Sequence, residues 1–434
     1  MHSGVIDSRI TPRLLQIVCV IAAMGIGLHC RPLPAQVDLS IDLEEPPFEY
    51  TKTEAENPVS RLIEGLEAKT IQLEYTRETG YLRSVLKALE IPESSQVLVF
   101  SKTSMQVQAI SRRNPRAIYF NDDTYVGWIR GSSLMEISTA DPKLGTAFYT
   151  VDMMPWRAKI KQAHYDCLAC HATSMTQGVP GHTVRSVHPE VDGSVASQRE
   201  SYITDHSSPF SQRWGGWYVT GRHGEMRHMG NTFLRGGQLD VRDNGNRLSL
   251  WDEFDTHDYL SPYSDIVALM VLEHQTQMHN AITQADFTVR QMVHDRDADE
   301  SRNVDQDEWN ARLQLIAKPV VDYALFCDEA PLTDPVKGSV IFADEFTRRG
   351  PVDSHGRSLR DFDLETRMFK YPCSYLVYSP AFDAMQKPLR REVTRQLLAV
   401  LTGANQDAAY RHLDAQTRAD TLEILRETTP EWFE

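Results

Sequence analysis

The sequence predicts an α+β protein, with short mixed strands in its N-terminal half and a helix-rich C-terminal half. Two patterns carry that expectation. Between 96 and 151 the runs QVLVF, AIYF, YVGWI, LMEIS and TAFYTV are short, β-branched and aromatic, and Asn114-Pro115, Asn121-Asp122-Asp123 and Asp141-Pro142 punctuate them as turns would. Beyond 262 the apolar residues recur instead at three- and four-residue steps, as on helices. The chain has 434 residues, 41% of them hydrophobic, which suggests two to four domains and permits a large buried core.

Taken in order, Arg9 and Arg13 precede an apolar run from Leu14 to Leu28, followed by Pro32, Leu33, Pro34 and the small Ala35. A basic start, a short apolar centre and a small-residue exit read as a secretory signal over 1–35, and hence as export to the periplasm or another extracytoplasmic space. The run is shorter than the roughly 20 residues a transmembrane helix needs, so an uncleaved anchor is the lesser reading and no stable membrane span is expected after cleavage. A lipoprotein at Cys30 is poorer still, because His29 stands where a small residue is wanted. Residues 36–59 are acidic and hold Pro46, Pro47 and Pro58, which reads as an extended linker.

A first folded region is expected over 60–155. It opens with helix from Asn57-Pro58-Val59-Ser60 to a stop before Pro92, with Leu62, Leu66, Leu73, Leu82, Leu86 and Leu89 at near-helical spacing, and continues into the strands. A central region over 156–285 begins with a short helix at 156–166. It contains strand-like, Gly-broken text such as RWGGWYVTG, and a long helix expected over 262–292 runs from it into the next region. The C-terminal region, 286–434, adds helices over 308–326, 388–402 and 416–426. There is no internal repeat and no low-complexity tract.

Charge excludes some functions. Sixty Asp and Glu against 45 Lys and Arg give a net charge of −15. That argues against nucleic acid or an anionic membrane surface as a partner held by a basic field. A mean hydropathy of −0.41 excludes a multi-span membrane protein.

The sharpest chemical signal is Cys167-Leu168-Ala169-Cys170-His171. Two thiols at this spacing can add to the two vinyl groups on one edge of a haem, and the adjacent imidazole then lies under the iron as its proximal ligand. A redox CxxC would want a thioredoxin-like βαβ context, and a zinc site would want a second thiolate pair; neither is present. The reading is therefore one covalent haem c, held by Cys167 and Cys170 and ligated by His171, in a site between the strand-rich and helix-rich halves.

Of the other cysteines, Cys19 and Cys30 leave with the signal. Cys327 and Cys373 are left either as a disulfide in an oxidising compartment or as two buried free thiols. For the far side of the iron there are two candidates. Met229 lies in the loop-like GEMRHMGN, with His228 beside it as a substitute. His274 shares one helical face with Ile266, Met270, Met278 and Ile282, which turns it inward, where a buried imidazole wants either iron or a hydrogen-bond partner. Trp214, Trp217 and Tyr218 are candidate walls for a flat apolar ring, and His228 is placed with them. Finally, Asp297, Asp299, Ser301, Asn303, Asp305 and Glu308 fall at the ligand positions of a calcium loop, with Val304 at its apolar position. Arg302 stands where that loop needs a Gly, which favours a solvated acidic loop over calcium.

Through the CxxCH pentapeptide and the export signal, the chain resembles c-type cytochromes. The resemblance covers only the motif and the helix before it. It implies a covalent haem, an iron cycling between ferrous and ferric states, and electron transfer to a redox partner protein or a small-molecule donor or acceptor. The spacing from His171 to Met229 is similar to that of the distal Met in small cytochromes c. The chain departs from those proteins in its far greater length and in the long stretch before the motif. A single CxxCH disfavours a two-haem peroxidase. The alternative is a haem enzyme, a peroxidase, oxidase or dehydrogenase of a small molecule, with an open or displaceable sixth position.

Overall fold

The computed structural model describes residues 41–433, apart from 157, 242–243 and 299–304. The segment read as an export signal and half of the calcium-like run (299–304) lie outside the described residues. Of that run's described members, Asp305 caps the helix that follows, accepting from the backbone of Asp307 and Glu308.

The fold is α+β. Helix α1 (Pro58–Glu67) starts where Asn57 accepts from the amides of Val59 and Ser60 while Ser60 bonds back to the Asn57 amide, with Pro58 at its first turn. The expected continuous helix up to Pro92 is instead two. Thr76 and Gly80 pair as a turn, Gly80 sits at φ +61°, and the chain re-enters helix only at α2 (Leu82–Ala88).

Six strands follow: β1 (Val97–Val99), β2 (Arg116–Phe120), β3 (Thr124–Trp128), β4 (Leu134–Asp141), β5 (Gly145–Asp152) and β6 (Lys159–Ala163). Strand β6 occupies the stretch expected to be helical. It is an edge strand in full antiparallel register with β5 and carries Lys159 and Lys161, a usual protection for an exposed sheet edge. Helix α3 (Tyr165–His171) comes next. A short ribbon, β7 (Arg185–Ser186) with β8 (Tyr202–Ile203), leads to β9 (Trp217–Tyr218). The expected strand RWGGWYVTG narrows to two residues because Trp214 and Gly216 take left-handed backbone, at φ +65° and +88°. A hairpin of β10 (Leu234–Arg235) and β11 (Gln238–Leu239) completes the strands.

The main sheet is antiparallel in the order β6-β5-β4-β3-β2-β1-β9. Its last strand comes from beyond α3, so the boundary expected at 155 does not divide the sheet.

The helices of the C-terminal half are α4 (Ile266–Ala298), α5 (Gln306–Ala324), α6 (Val340–Thr347), α7 (Pro380–Asp383), α8 (Lys387–Leu401) and α9 (Ala415–Thr428). Helix α4 touches β5 on one side and α5 and α8 on the other. It is buried over most of its length, polar residues included. No helix among the described residues is long and apolar enough to cross a membrane.

Strand alternation gives the sheet two faces. One face bears Leu98, Val126, Met135, Ile137, Tyr149 and Val151 and packs on Leu62, Leu82, Val85 and Leu86 of α1 and α2. The other face looks toward α4 and the C-terminal helices.

One expectation is corrected and one open alternative is decided. Residues 41–57 are not an extended linker. Phe48 and Tyr50 are buried, Phe48 stacks on Phe287 of α4, and the Tyr50 hydroxyl donates to the Thr146 carbonyl. The acidic composition concealed two aromatic anchors. Cys327 and Cys373 are free thiols, not a disulfide. Both are buried in the apolar core, where desolvation pushes each thiol up to about 12, and there they act as small hydrophobes.

Candidate functional site

The inner face of the sheet is built in cross-strand rows. One row runs Val97, Ile118, Gly127, Glu136 and Thr150; the next runs Phe120, Tyr125, Ser138 and Phe148; and Trp217, Val99 and Arg116 lie together at the far edge. A cavity of about 410 Å³ opens on this face, a size within the range of small-molecule and cofactor sites. Its walls are the sheet residues Arg116, Ile118, Glu136 and Phe148, together with α3, the loop 102–105, the segment 182–185, and Leu272 and Thr276 of α4.

Helix α3 brings Cys167, Cys170 and His171 onto this cavity together. Its end is fixed by backbone bonds from the Ala172 amide to Leu168 and from the Gly181 amide to the His171 carbonyl. The His171 ring packs against Phe148, with centroids 5.0 Å apart, and its Nδ1 lies 2.9 Å from the Gly181 carbonyl. That contact makes Nδ1 the protonated nitrogen and leaves the Nε2 lone pair for a metal, the way metal-bound imidazoles are oriented. Burial lowers the basicity of His171, which favours the neutral, ligating form. Burial also pushes the Cys167 thiol up to about 11, so at neutral pH it is a thiol and not a reactive thiolate. That environment disfavours a redox CxxC.

The segment after the motif is held from α4. The Asn280 side chain accepts from the His182 amide at 2.9 Å and donates to the His182 carbonyl at 2.7 Å. His182 itself is buried, and its ring lies against Tyr125 and within reach of the Ser138 and Thr146 hydroxyls. Burial keeps it neutral.

One charged pair crosses the sheet. Arg116 on β2 reaches over β3 to Glu136 on β4. The strand it crosses carries Gly127, where a Cβ would meet the Arg116 guanidinium at 2.2 Å. A side chain there would displace the guanidinium from this path. The Arg116 Nε is buried without a hydrogen-bond partner.

The structure divides the residues expected at the site. Trp217 lines the cavity and donates from Nε1 to the Arg185 carbonyl. Tyr218, one residue on, points through to the other face and donates to the Arg112 carbonyl. Trp214 and His228 pack together with Phe210 and His223 away from the cavity lining, and the His228 Nδ1 meets the Asn244 amide. Met229 is buried beneath the Gly215 turn, 3.7 Å from the Ser186 hydroxyl, and is not among the lining residues.

His274 faces inward as its helical position requires, but toward α5. Its Nδ1 meets His206 at 2.9 Å, its Nε2 meets the Ser374 hydroxyl at 2.8 Å, and its ring stacks on Phe326 and Tyr323. Neither distal candidate is brought to the CxxCH cavity. Met229 belongs to the turn that carries β9, and both ring nitrogens of His274 already have partners.

Residues the sequence reading did not single out include Met105, Arg116, Glu136, Phe148, His182 and Asn280. Gly127 inside YVGWI was the available signal, since a glycine within a strand marks a close approach. Among the described residues no group of three or more His, Cys, Asp or Glu is placed to hold a metal ion by itself. Comparison with protein-family models, with characterised proteins and with solved structures finds no match to this chain.

Proposed function

We propose that the chain is an exported c-type haem protein that passes electrons through a single covalent haem. The observation that supports this most is the opening of Cys167, Cys170 and His171 onto one walled cavity, with the His171 ring already oriented by Gly181. A haem bound there supplies a reversible one-electron couple at its iron. The chain's own residues do the rest. Cys167 and Cys170 would hold such a group through their thiols, His171 would offer Nε2, and Ile118, Phe148, Trp217 and Leu272 supply apolar surface. The redox partner is a protein or a small-molecule donor or acceptor.

A second reading, a haem enzyme acting on a small molecule, is favoured by one feature. The cavity wall carries Lys102, Arg116, Glu136 and Ser138, more charge and polarity than an apolar ring alone requires.

The test is expression in a host that matures c-type haem. The purified protein should retain one haem per chain after acid-acetone extraction, measured as the pyridine haemochrome. Cys167→Ala with Cys170→Ala should yield haem-free protein. Unchanged haem content in that double variant would contradict the site.

A further inference from the structure

Met229 and His274 are held away from the cavity, so the iron's sixth position needs a different donor, if it has one. The cavity lining offers few neutral donors besides His171. His182 is buried, and both of its ring nitrogens sit beside hydroxyls, at 3.2 and 3.3 Å. It also adjoins Gly181, whose carbonyl orients His171, which ties it to the proximal wall. The Tyr125 hydroxyl is taken by Gln275. The Lys102 ammonium is paired with Asp192 at 3.1 Å. Met105 is left. Its side chain is 53% exposed on an otherwise polar loop, and it lines the cavity.

The loop that carries Met105 is pinned on both sides. At its base the amides of Phe100 and Ser101 both donate to the Gly216 carbonyl, at 2.9 and 3.0 Å, and the Lys102 amide donates to Gly193 at 2.8 Å. At its tip the two residues flanking Met105 grip one carboxylate oxygen: the Ser104 hydroxyl and the Gln106 amide donate to Glu136 Oε1, at 2.9 and 3.1 Å. The other Glu136 oxygen holds Arg116 across Gly127.

The clamp sits close to His171 on the sheet. Glu136 pairs with Thr150, and Phe148, on which the His171 ring packs, pairs with Ser138. Glu136 and Phe148 are therefore diagonal neighbours on one face, roughly 7–8 Å apart at their Cα atoms. The Met105 anchor and the His171 anchor face one cavity from adjacent points of the same rigid sheet.

We infer that Met105 is the distal iron ligand of this chain and that Glu136 positions it through Ser104 and Gln106. The inference rests on the haem reading above. A thioether is a soft neutral donor that favours ferrous iron and raises the reduction potential. A six-coordinate iron of this kind suits electron transfer, with no open position for a substrate.

The full chain, matured in a c-haem host, decides the matter in two steps. Haemochrome content comes first: no covalent haem in the wild type sinks the haem reading itself. With haem loaded, the wild type should be low-spin in the ferric state and refuse CO in the ferrous state. Met105→Ala should turn the ferric spectrum high-spin and bind one CO per haem. Met105→His should stay low-spin at a lower reduction potential. Met229→Ala should leave spin state and CO refusal as in the wild type. Because Met105 is half exposed, its truncation leaves the core intact. A haem-loaded Met105→Ala that stays low-spin and refuses CO overturns the assignment, as does a wild type that is already high-spin and binds CO.

Discussion

Gly127 shows how a single missing atom shapes the cavity. Its backbone leaves the one path by which Arg116 crosses β3 to Glu136, and Glu136 in turn receives Ser104 and Gln106. Gly127→Ala should push the guanidinium off the carboxylate and lower stability by about 1.5–3 kcal/mol, the usual scale for a hydrogen bond to a charged group. A urea midpoint equal to that of the wild type would show that the crossing carries no weight.

Glu273 on α4 is another case where one residue carries a measurable consequence. It is fully buried and lies 3.3 Å from Arg213. Burial pushes its carboxyl up to about 7, with Arg213 partly opposing. An unfolded chain releases this proton near 4.5, so between that pH and about 7 the folded state binds more protons than the unfolded one. The stability this group contributes therefore falls as pH rises through the window. Relative to Glu273→Gln, the native chain should be more stable at pH 5 than at pH 8, by about 1–3 kcal/mol. Urea titrations of both proteins at the two pH values measure it, and a difference independent of pH would refute it.

At the scale of elements, α4 does two jobs with two faces. Leu272, Gln275, Thr276, His279 and Asn280 lie three or four residues apart and meet the sheet side. There Gln275 bonds the Asn121 carbonyl and the Tyr125 hydroxyl, and His279 bonds the Asp122 carbonyl. His274 lies on the opposite side with His206 and Ser374. Asn280 is the residue through which the helix holds the chain just after the CxxCH motif. Asn280→Ala should strand the amide and carbonyl of His182 in a buried place and cost about 2–4 kcal/mol. A loss well under that range, in equilibrium unfolding, would mean that water replaces the amide.

The same elements show what was legible in the sequence. The strands from 96 to 151 were readable from β-branched and aromatic runs separated by turn residues, and the helices beyond 262 from apolar residues three and four positions apart. The break between α1 and α2 was not, because apolar spacing continued across the Thr76–Gly80 turn. Strand β6 was missed because its identity comes from pairing with β5, a contact that no local pattern encodes.

Taken as a whole, the molecule explains why the CxxCH residues could be singled out from sequence and the rest of the cavity wall could not. Cys167, Cys170 and His171 are contiguous, so their chemistry is written in five letters. Met105, Glu136 and Gly127 line one cavity only because the sheet lays β2, β3 and β4 side by side, and Asn280 reaches His182 only because α4 crosses behind the segment after α3. His274 was rightly turned inward, but helical spacing cannot say which of two buried neighbourhoods a side chain enters. The acidic arm over 41–57 repeats that lesson: its composition reads as solvated, and the two aromatics that seat it on α4 and β5 are outnumbered by its charges.

The central claim is that one porphyrin is joined to this chain through Cys167 and Cys170. The intact mass of the purified chain, made in a host shown to load a control cytochrome c, tests it most directly. The account predicts the mass of the processed polypeptide plus one haem, retained under denaturing conditions. A colourless product at the mass of the bare polypeptide, with the control fully loaded, would contradict it.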